Sequence, residues 1–167
     1  CGLQSTGTVT CVGRTTFGQT GATTTDPNDI ATVSTPSDFT SITAGENFTC
    51  GISANSSSSV YCWGRNSNGE LGVTNSSLPF SATPQEISVG ETVDAVAAGS
   101  YHVCALLVST RVKCWGDNTY GQVGNSTYVP TPTPTAVSDG GSDLSGVVAL
   151  SAGGATTCAV LTNGQGR

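Results

Sequence analysis

The sequence predicts an all-β protein assembled from repeats of about 52 residues, each a small antiparallel sheet, and three observations carry that expectation. An eleven-residue segment occurs twice, as CWGRNSNGELG from Cys62 to Gly72 and as CWGDNTYGQVG from Cys114 to Gly124. A divergent copy, CVGRTTFGQTG, starts at Cys11. A second cysteine stands inside an apolar run in each unit: Cys50 in ITAGENFTCGI, Cys104 in VAAGSYHVCALL and Cys158 in LSAGGATTCAVL. The stretches SITAGENFTCGIS, SSVYCWG, DAVAAGSYHVCALLV and TRVKCWG are short, rich in β-branched and aromatic residues, and bounded by Gly, Asn and Ser. That is strand composition. No segment carries a sustained 3.6-residue apolar period with a cap, so almost no helix is expected.

Each unit reads in one order. An apolar strand ends in Ala-Gly (44–45, 98–99 and 152–153), and the cysteine strand follows. A turn then leads to Val-x-Cys-Trp-Gly and to Gly-Glu/Gln-x-Gly, and a loop rich in Thr, Ser and Pro reaches the next unit. The approximate repeats are 1–38 (partial), 39–92, 93–146 and 147–167 (partial). Gly69 and Gly72, like Gly121 and Gly124, punctuate a tight turn in which a side chain would clash. Trp63 and Trp115 recur at one site, with Val12 in the first unit, and read as wedges packed between units rather than as a ligand platform.

The seven cysteines fall into pairs separated by 10, 12 and 10 positions: Cys1–Cys11, Cys50–Cys62 and Cys104–Cys114. Each pair brackets a strand, a turn and a second strand. Cysteines facing each other at a non-hydrogen-bonded site of an antiparallel ladder lie within disulfide reach. Closing such a loop stabilises a unit by roughly 3 kcal/mol on the chain-entropy model. Zinc or reactive thiols are the rival reading, but the chain has one His and no CxxC spacing. Cys158 is left without a partner.

Composition narrows the function classes. Charged residues make up only 10% of the 167, and 26 Thr with 21 Ser supply the polar surface instead. A formal charge of −6 with five scattered cations argues against nucleic acid, which needs clustered Lys and Arg. No stretch approaches the roughly 20 apolar residues that span a bilayer. Four sequons, at Asn47, Asn55, Asn75 and Asn125, fit a secreted or cell-surface glycoprotein. Asn55 falls in a turn between paired cysteines, and Asn75 and Asn125 follow the glycine turn. Asn47 sits within a strand and is the weakest of the four. The run Pro130–Thr135 reads as an extended, polyproline-like stretch or stiff loop open to O-glycosylation.

The order Ala98-Gly-x-x-His-x-Cys-Ala-Leu106, followed by Val112-x-Cys-Trp-Gly-x-Asn-x-x-Gly-Gln-x-Gly124, resembles the regulator-of-chromosome-condensation repeat family. The resemblance covers the whole chain. It implies a β-propeller, here about three blades forming an arc of a seven-bladed ring. The two cysteines per unit are most similar to extracellular versions of the repeat, such as the ectodomains of plant crinkly-type receptor kinases. The family's nuclear member is a nucleotide-exchange factor that binds chromatin, and this chain lacks the basic tail such work requires. Cys1 begins mid-unit, and the chain stops at Arg167 where a Cys-Trp-Gly is due, so an arc or fragment of a larger propeller is expected.

Little in the sequence points to catalysis, and a non-enzymatic protein is expected. There is no Gly-x-Ser-x-Gly elbow, and His102 stands at a strand position that holds Phe48 and Thr156 in the other units. The carboxylates of DPND (Asp26 to Asp29) and DGGSD (Asp139 to Asp143) lack the ligand spacing of a calcium loop. No cofactor or metal is called for. The reading is an extracellular, glycosylated structural or adhesion module whose partners are other extracellular proteins or copies of itself. The alternative is a specific binder or inhibitor acting through loops on one propeller face, with Phe17, Phe80, Tyr120 and Tyr128 as its aromatic anchors.

Overall fold

The computed structural model describes residues 1–22, 26–34, 38–54, 59–73 and 78–167. Among these, all regular structure is β, and every strand pairing is antiparallel. The first sheet joins β1 (Gly2–Leu3), β2 (Val9–Cys11) and β3 (Ala31–Thr32). The second orders β4 (Phe39–Ala44), β5 (Phe48–Ser53), β6 (Ser59–Arg65) and β7 (Phe80–Ser88) as a meander. The third repeats it with β8 (Val93–Ala98), β9 (His102–Leu107), β10 (Val112–Gly116) and β11 (Thr131–Ala136). A short hairpin, β12 (Ser138–Asp139) and β13 (Ser142–Asp143), precedes β14 (Val147–Gly153) and β15 (Thr156–Leu161), which pair with each other. These are propeller blades, two of them four-stranded.

The second strand of each full blade explains the apolar runs. β5 and β9 are buried at all six positions instead of alternating, because each blade is covered on both faces by its neighbours. Successive side chains therefore enter different cores. Val103, Ala105 and Leu107 pack with Leu71 and Ile87 of the preceding blade, while Cys104 and Leu106 pack with Leu144, Val147 and Ala159 on the other side. In Cys-Trp-Gly the same alternation separates neighbours. Cys114 joins the core toward the following blade, and Trp115 joins the core toward the preceding one.

The tryptophans close the joints. Trp63 and Trp115 are completely buried. The indole Nε1–H of Trp115 donates to the backbone carbonyl of Glu70 in the preceding unit at 3.0 Å, and that of Trp63 donates to the carbonyl of Gln19 at 3.1 Å. A buried indole N–H needs such an acceptor. Both acceptors occupy the Glu/Gln position of the Gly-Glu/Gln-x-Gly turn. Each repeat motif thus makes two halves of two different joints: its tryptophan reaches back, and its turn receives the tryptophan that follows.

Near the axis the first strands of successive blades lie side by side. Ala98 N donates to Thr43 Oγ1 at 3.1 Å, Glu46 N to Ser100 O at 3.2 Å, and Ser100 N to Gly154 O at 2.8 Å. The glycine of Cys-Trp-Gly has its own steric origin. A register shift between Cys114 and Gly116 leaves Gly116 at φ 105°, where a Cβ would meet Tyr101 O at 2.5 Å and His102 Cα at 2.8 Å. Only glycine allows the third strand to approach the second so closely there.

One expectation needs correction. The run Pro130–Thr135 is not a loop, because β11 takes up Thr131–Ala136 as the outer strand against β10. Prolines are accepted there because the outer edge of a sheet requires no ladder donor.

Two outcomes are expected from the joints. Trp115→Ala is expected to lose about 3–5 kcal/mol of unfolding free energy, as buried aromatic truncations do, measured by urea denaturation. A loss below about 1 kcal/mol would contradict the wedge role. Gly69 and Gly121 share positive φ, 86° and 80°, but a Cβ on Gly69 would lie 2.5 Å from Pro132 Cα, whereas one on Gly121 meets nothing nearer than 3.4 Å. Gly69→Ala is therefore expected to destabilise more than Gly121→Ala in the same assay.

Candidate interaction surface

The loops after Cys-Trp-Gly are fixed from within by asparagine. Asn66 and Asn118 are fully buried. Asn66 Oδ1 accepts from Leu71 N at 2.9 Å, and its Nδ2 donates to the carbonyls of Val73 and Leu78 at 3.1 and 2.7 Å. Asn118 repeats the arrangement, accepting from Val123 N at 3.0 Å and donating to Asn125 Oδ1 and Thr127 O, each at 3.0 Å. A side-chain amide satisfies several loop backbone groups at once, and this role of asparagine went unread in the sequence. The Glu/Gln of the turn adds a shorter tie. Phe17 N donates to Gln19 Oε1 at 2.9 Å, Asn68 N to Glu70 Oε2 at 2.7 Å, and Tyr120 N to Gln122 Oε1 at 2.9 Å.

On this rigid floor one cluster crosses three units. The Arg65 guanidinium lies 5.0 Å from the Tyr101 ring centroid and 6.0 Å from that of Phe17. That distance range supports cation–π attraction. Arg65 Nε also donates to Ser67 Oγ at 2.8 Å and stands 3.9 Å from Glu70 Oε1. The hydrogen bond to Glu46, together with desolvation and the charge of Glu46, raises the Tyr101 phenol above its ordinary value. Phe80 lies opposite Arg65 in the β6–β7 ladder and is exposed, and Tyr120 and Tyr128, in the loop of the following unit, are 76% and 74% exposed. The surface pairs one cation with several aromatics, the residue types enriched at binding hot spots. Of its members, Arg65 and Tyr101 were missed in the sequence. No motif marks them, because Arg65 aligns with Arg14 and Asp117, and Tyr101 aligns with Asn47 and Ala155.

The other candidate residues occupy structural places. Disulfides join Cys1–Cys11, Cys50–Cys62 and Cys104–Cys114, with Cα atoms 3.9, 4.1 and 4.1 Å apart, and Cys158 is an exposed free thiol. His102 is buried, and its Nε2 donates to Thr157 Oγ1 of the next blade at 2.7 Å. Thr157 Oγ1 in turn donates to Gln122 O at 3.2 Å, and burial lowers the imidazole below its ordinary value. Val12 is not packed as expected. It is 60% exposed in this structure.

Asn47, the weakest of the four sequons, is 8% exposed, and its Oδ1 accepts from Gln19 Nε2 at 3.4 Å. Asn125 is half-buried, donating to Thr131 Oγ1 at 3.2 Å, while Asn55 and Asn75 lie outside the described residues. Asp26 accepts from Asn28 N within its own turn at 2.8 Å. Asp139 pairs with Arg167 at 3.0 Å, and Asp143 lies 3.7 Å from Arg111. Among the described residues no three His, Cys, Asp or Glu side chains gather as a metal site.

Glu70 sets a pH dependence. Burial outweighs the hydrogen bonds from Asn68 and the charge of Arg65, and raises its carboxyl from the ordinary 4.5. The folded state then holds this proton more tightly than the unfolded state. The contribution is present below 4.5 and is lost as pH rises through the raised value. Glu70→Gln, which installs the residue found at Gln19 and Gln122, is expected to gain on the parent protein as pH rises from below 4.5 to neutrality. Urea midpoints that differ equally at both ends of that range would contradict it.

Comparison with known proteins agrees with this architecture. Family models described as "Regulator of chromosome condensation (RCC1) repeat" match residues 57–106 and 111–160, and a second of the same description matches 39–70 and 93–122. The human "Probable E3 ubiquitin-protein ligase HERC6" is 33% identical over 117 residues, 68% of this chain and 11% of that protein. Yeast RCC1 (Prp20), in its complex with Kap60, superposes with a TM-score of 0.79 at 18% identity, over 93% of this chain and 38% of the other. The ectodomain of the Physcomitrella patens receptor kinase CR4 gives 0.51 at 20% identity, over 82% and 31%. The chain therefore spans well under half of each of these proteins. With paired repeat motifs, propeller blades and family models matching more than half its residues, the chain belongs to the regulator of chromosome condensation (RCC1) repeat family.

Proposed function

We propose that these blades form a protein-interaction module of an extracellular or cell-surface protein, acting in adhesion or assembly through the loop face centred on Arg65 and Tyr101. The observation that carries the reading is the Phe17–Arg65–Tyr101 cluster, which three successive units build together. A cation held between aromatic rings presents apolar area and directional donors at low conformational cost, which suits a protein partner. The repeat identities support it: shared positions build the blades, while Tyr101 aligns with Asn47 and Ala155, Phe17 with Asn68 and Tyr120, and Arg65 with Arg14 and Asp117.

Three disulfides support the extracellular setting, since reducing compartments do not maintain them. The sequons at Asn55, Asn75 and Asn125 add glycans to the reading, and the threonines of Thr131–Thr135 lie on an outer strand within reach of O-glycosylation. The binder or inhibitor reading uses the same face, and the identity of the partner separates the two.

The test is affinity capture from the extracellular fraction of the native source, with parent protein and the Arg65→Ala/Tyr101→Ala variant as paired baits. Partners held by the parent are expected to bind the variant at least about tenfold more weakly. An identical set retained with equal strength would exclude this face. Thiol labelling of native-source protein without reductant is expected to leave Cys104 and Cys114 unmodified, and labelling of either would exclude the extracellular setting.

A further inference from the structure

The buried histidine of the third sheet fills a slot shaped for an apolar ring. His102 stands at the repeat position of Phe48. Phe48 lays its ring against Gly45, where a Cβ would lie 2.5 Å from Phe48 Cζ and 2.7 Å from Gly99 O. His102 lies against Gly99 in the same way, and a Cβ there would meet Nδ1 at 2.5 Å and Gly154 O at 2.7 Å. The imidazole Nδ1 thus takes the place of a ring carbon. It is buried and, among the described residues, has no hydrogen-bond partner. A buried polar atom without a partner is the exception in folded proteins and calls for a reason.

The other nitrogen fixes the protonation state. Nε2 lies 2.7 Å from Thr157 Oγ1, which lies 3.2 Å from Gln122 O, a carbonyl that can only accept. The one hydroxyl proton of Thr157 therefore goes to Gln122, Nε2 carries the ring proton, and Nδ1 is bare. A second ring proton must sit on Nδ1, where it turns an unmatched acceptor into an unmatched cationic donor. The surroundings offer that charge little. Ala98, Gly99, Gly116, Gln122 and residues 153–156 are uncharged, and Cys104 is bonded to Cys114. Tyr101 is a phenol bonded to Glu46, with Arg65 beside its ring. Asp117 favours the imidazolium, but its carboxylate is engaged by Thr119 N at 3.1 Å and Gln122 Nε2 at 2.9 Å. Burial outweighs it and holds the imidazole below its ordinary 6.5.

We infer that His102 is an acid-sensitive latch between the third sheet and the β14–β15 pair: its neutral ring closes the joint, and protonation at Nδ1 opens it. In the open joint the ring is hydrated and takes its second proton without penalty. The closed joint is therefore held fully above 6.5, the ordinary value of an exposed imidazole, and weakens as pH falls below it. The preceding joint lacks this property, because Phe48 cannot titrate. Glu70, the ionisable group buried at that joint, is raised rather than lowered, so acid favours its folded form. The array thus sets one joint that senses acid beside one that does not.

The intact chain supplies its own control. Ser100 N donates to Gly154 O across the latch, and Glu46 N donates to Ser100 O across the preceding joint. Hydrogen-exchange protection factors of these two amides are measured by NMR at about pH 7.5 and about pH 5. Protection of Ser100 is expected to fall at least about fivefold in acid, within the roughly thirtyfold ceiling that an ordinary value of 6.5 sets, while Glu46 keeps its protection. His102→Phe, which matches the residue at Phe48, is expected to abolish the fall at Ser100. The nitrogen resonances of the parent imidazole are expected to show Nε2 protonated and Nδ1 bare at the higher pH. An equal response of the two amides in the parent protein would overturn the latch, as would a ring proton on Nδ1. A fall at Ser100 that survives His102→Phe would assign the response to another group and overturn it equally.

Discussion

A hydrogen bond from a buried indole to a turn carbonyl in the preceding unit organises this molecule. Trp63 reaches Gln19 O and Trp115 reaches Glu70 O, so each blade is completed only by contact with the next. A four-stranded meander has two apolar faces and cannot cover both alone. The repeat solves this by alternation along the strand, which sends Cys114 toward one neighbour and Trp115 toward the other. Stability in such an array belongs to the joints as much as to the units. The disulfides act within units, whereas the tryptophans act between them.

The same division separates building from display. Asn66 and Asn118 tie their loops from the inside, and the Glu/Gln of each turn holds the N–H two residues before it. The glycine at the turn lets the following blade's outer strand approach, as Pro132 does at Gly69. With the floor fixed, side chains pointing outward are free to vary from unit to unit. Arg65, Phe17 and Tyr101 occupy such places, and their proximity depends on three units being locked in register. Surface chemistry is thereby a product of the joints, since no single unit contains the cluster.

The fold was legible because its constraints are local and repeated. Spacing alone paired Cys50 with Cys62 and Cys104 with Cys114, and the recurrence of tryptophan identified a packing wedge. What the wedge touches was not legible, because its acceptor lies about 45 residues upstream and is a backbone carbonyl, which leaves no residue-type signal. Pro132 and Pro134 concealed β11, since their tolerance on an outer edge follows from the sheet order. Arg65 and Tyr101 were silent because nothing in a repeat pattern marks the positions that depart from it.

The dependence of the whole on the indole–carbonyl joints is tested most directly by hydrogen exchange at the two indole N–H groups, resolved by NMR. If the joints hold the array together, the Trp63 and Trp115 indole protons exchange as slowly as the backbone amides of Cys50 and Cys104 in the strands they cover, since all four open only when the blades separate. Exchange of the indoles within minutes, while those amides remain protected, would show that the blades stand without the joints and would contradict the account.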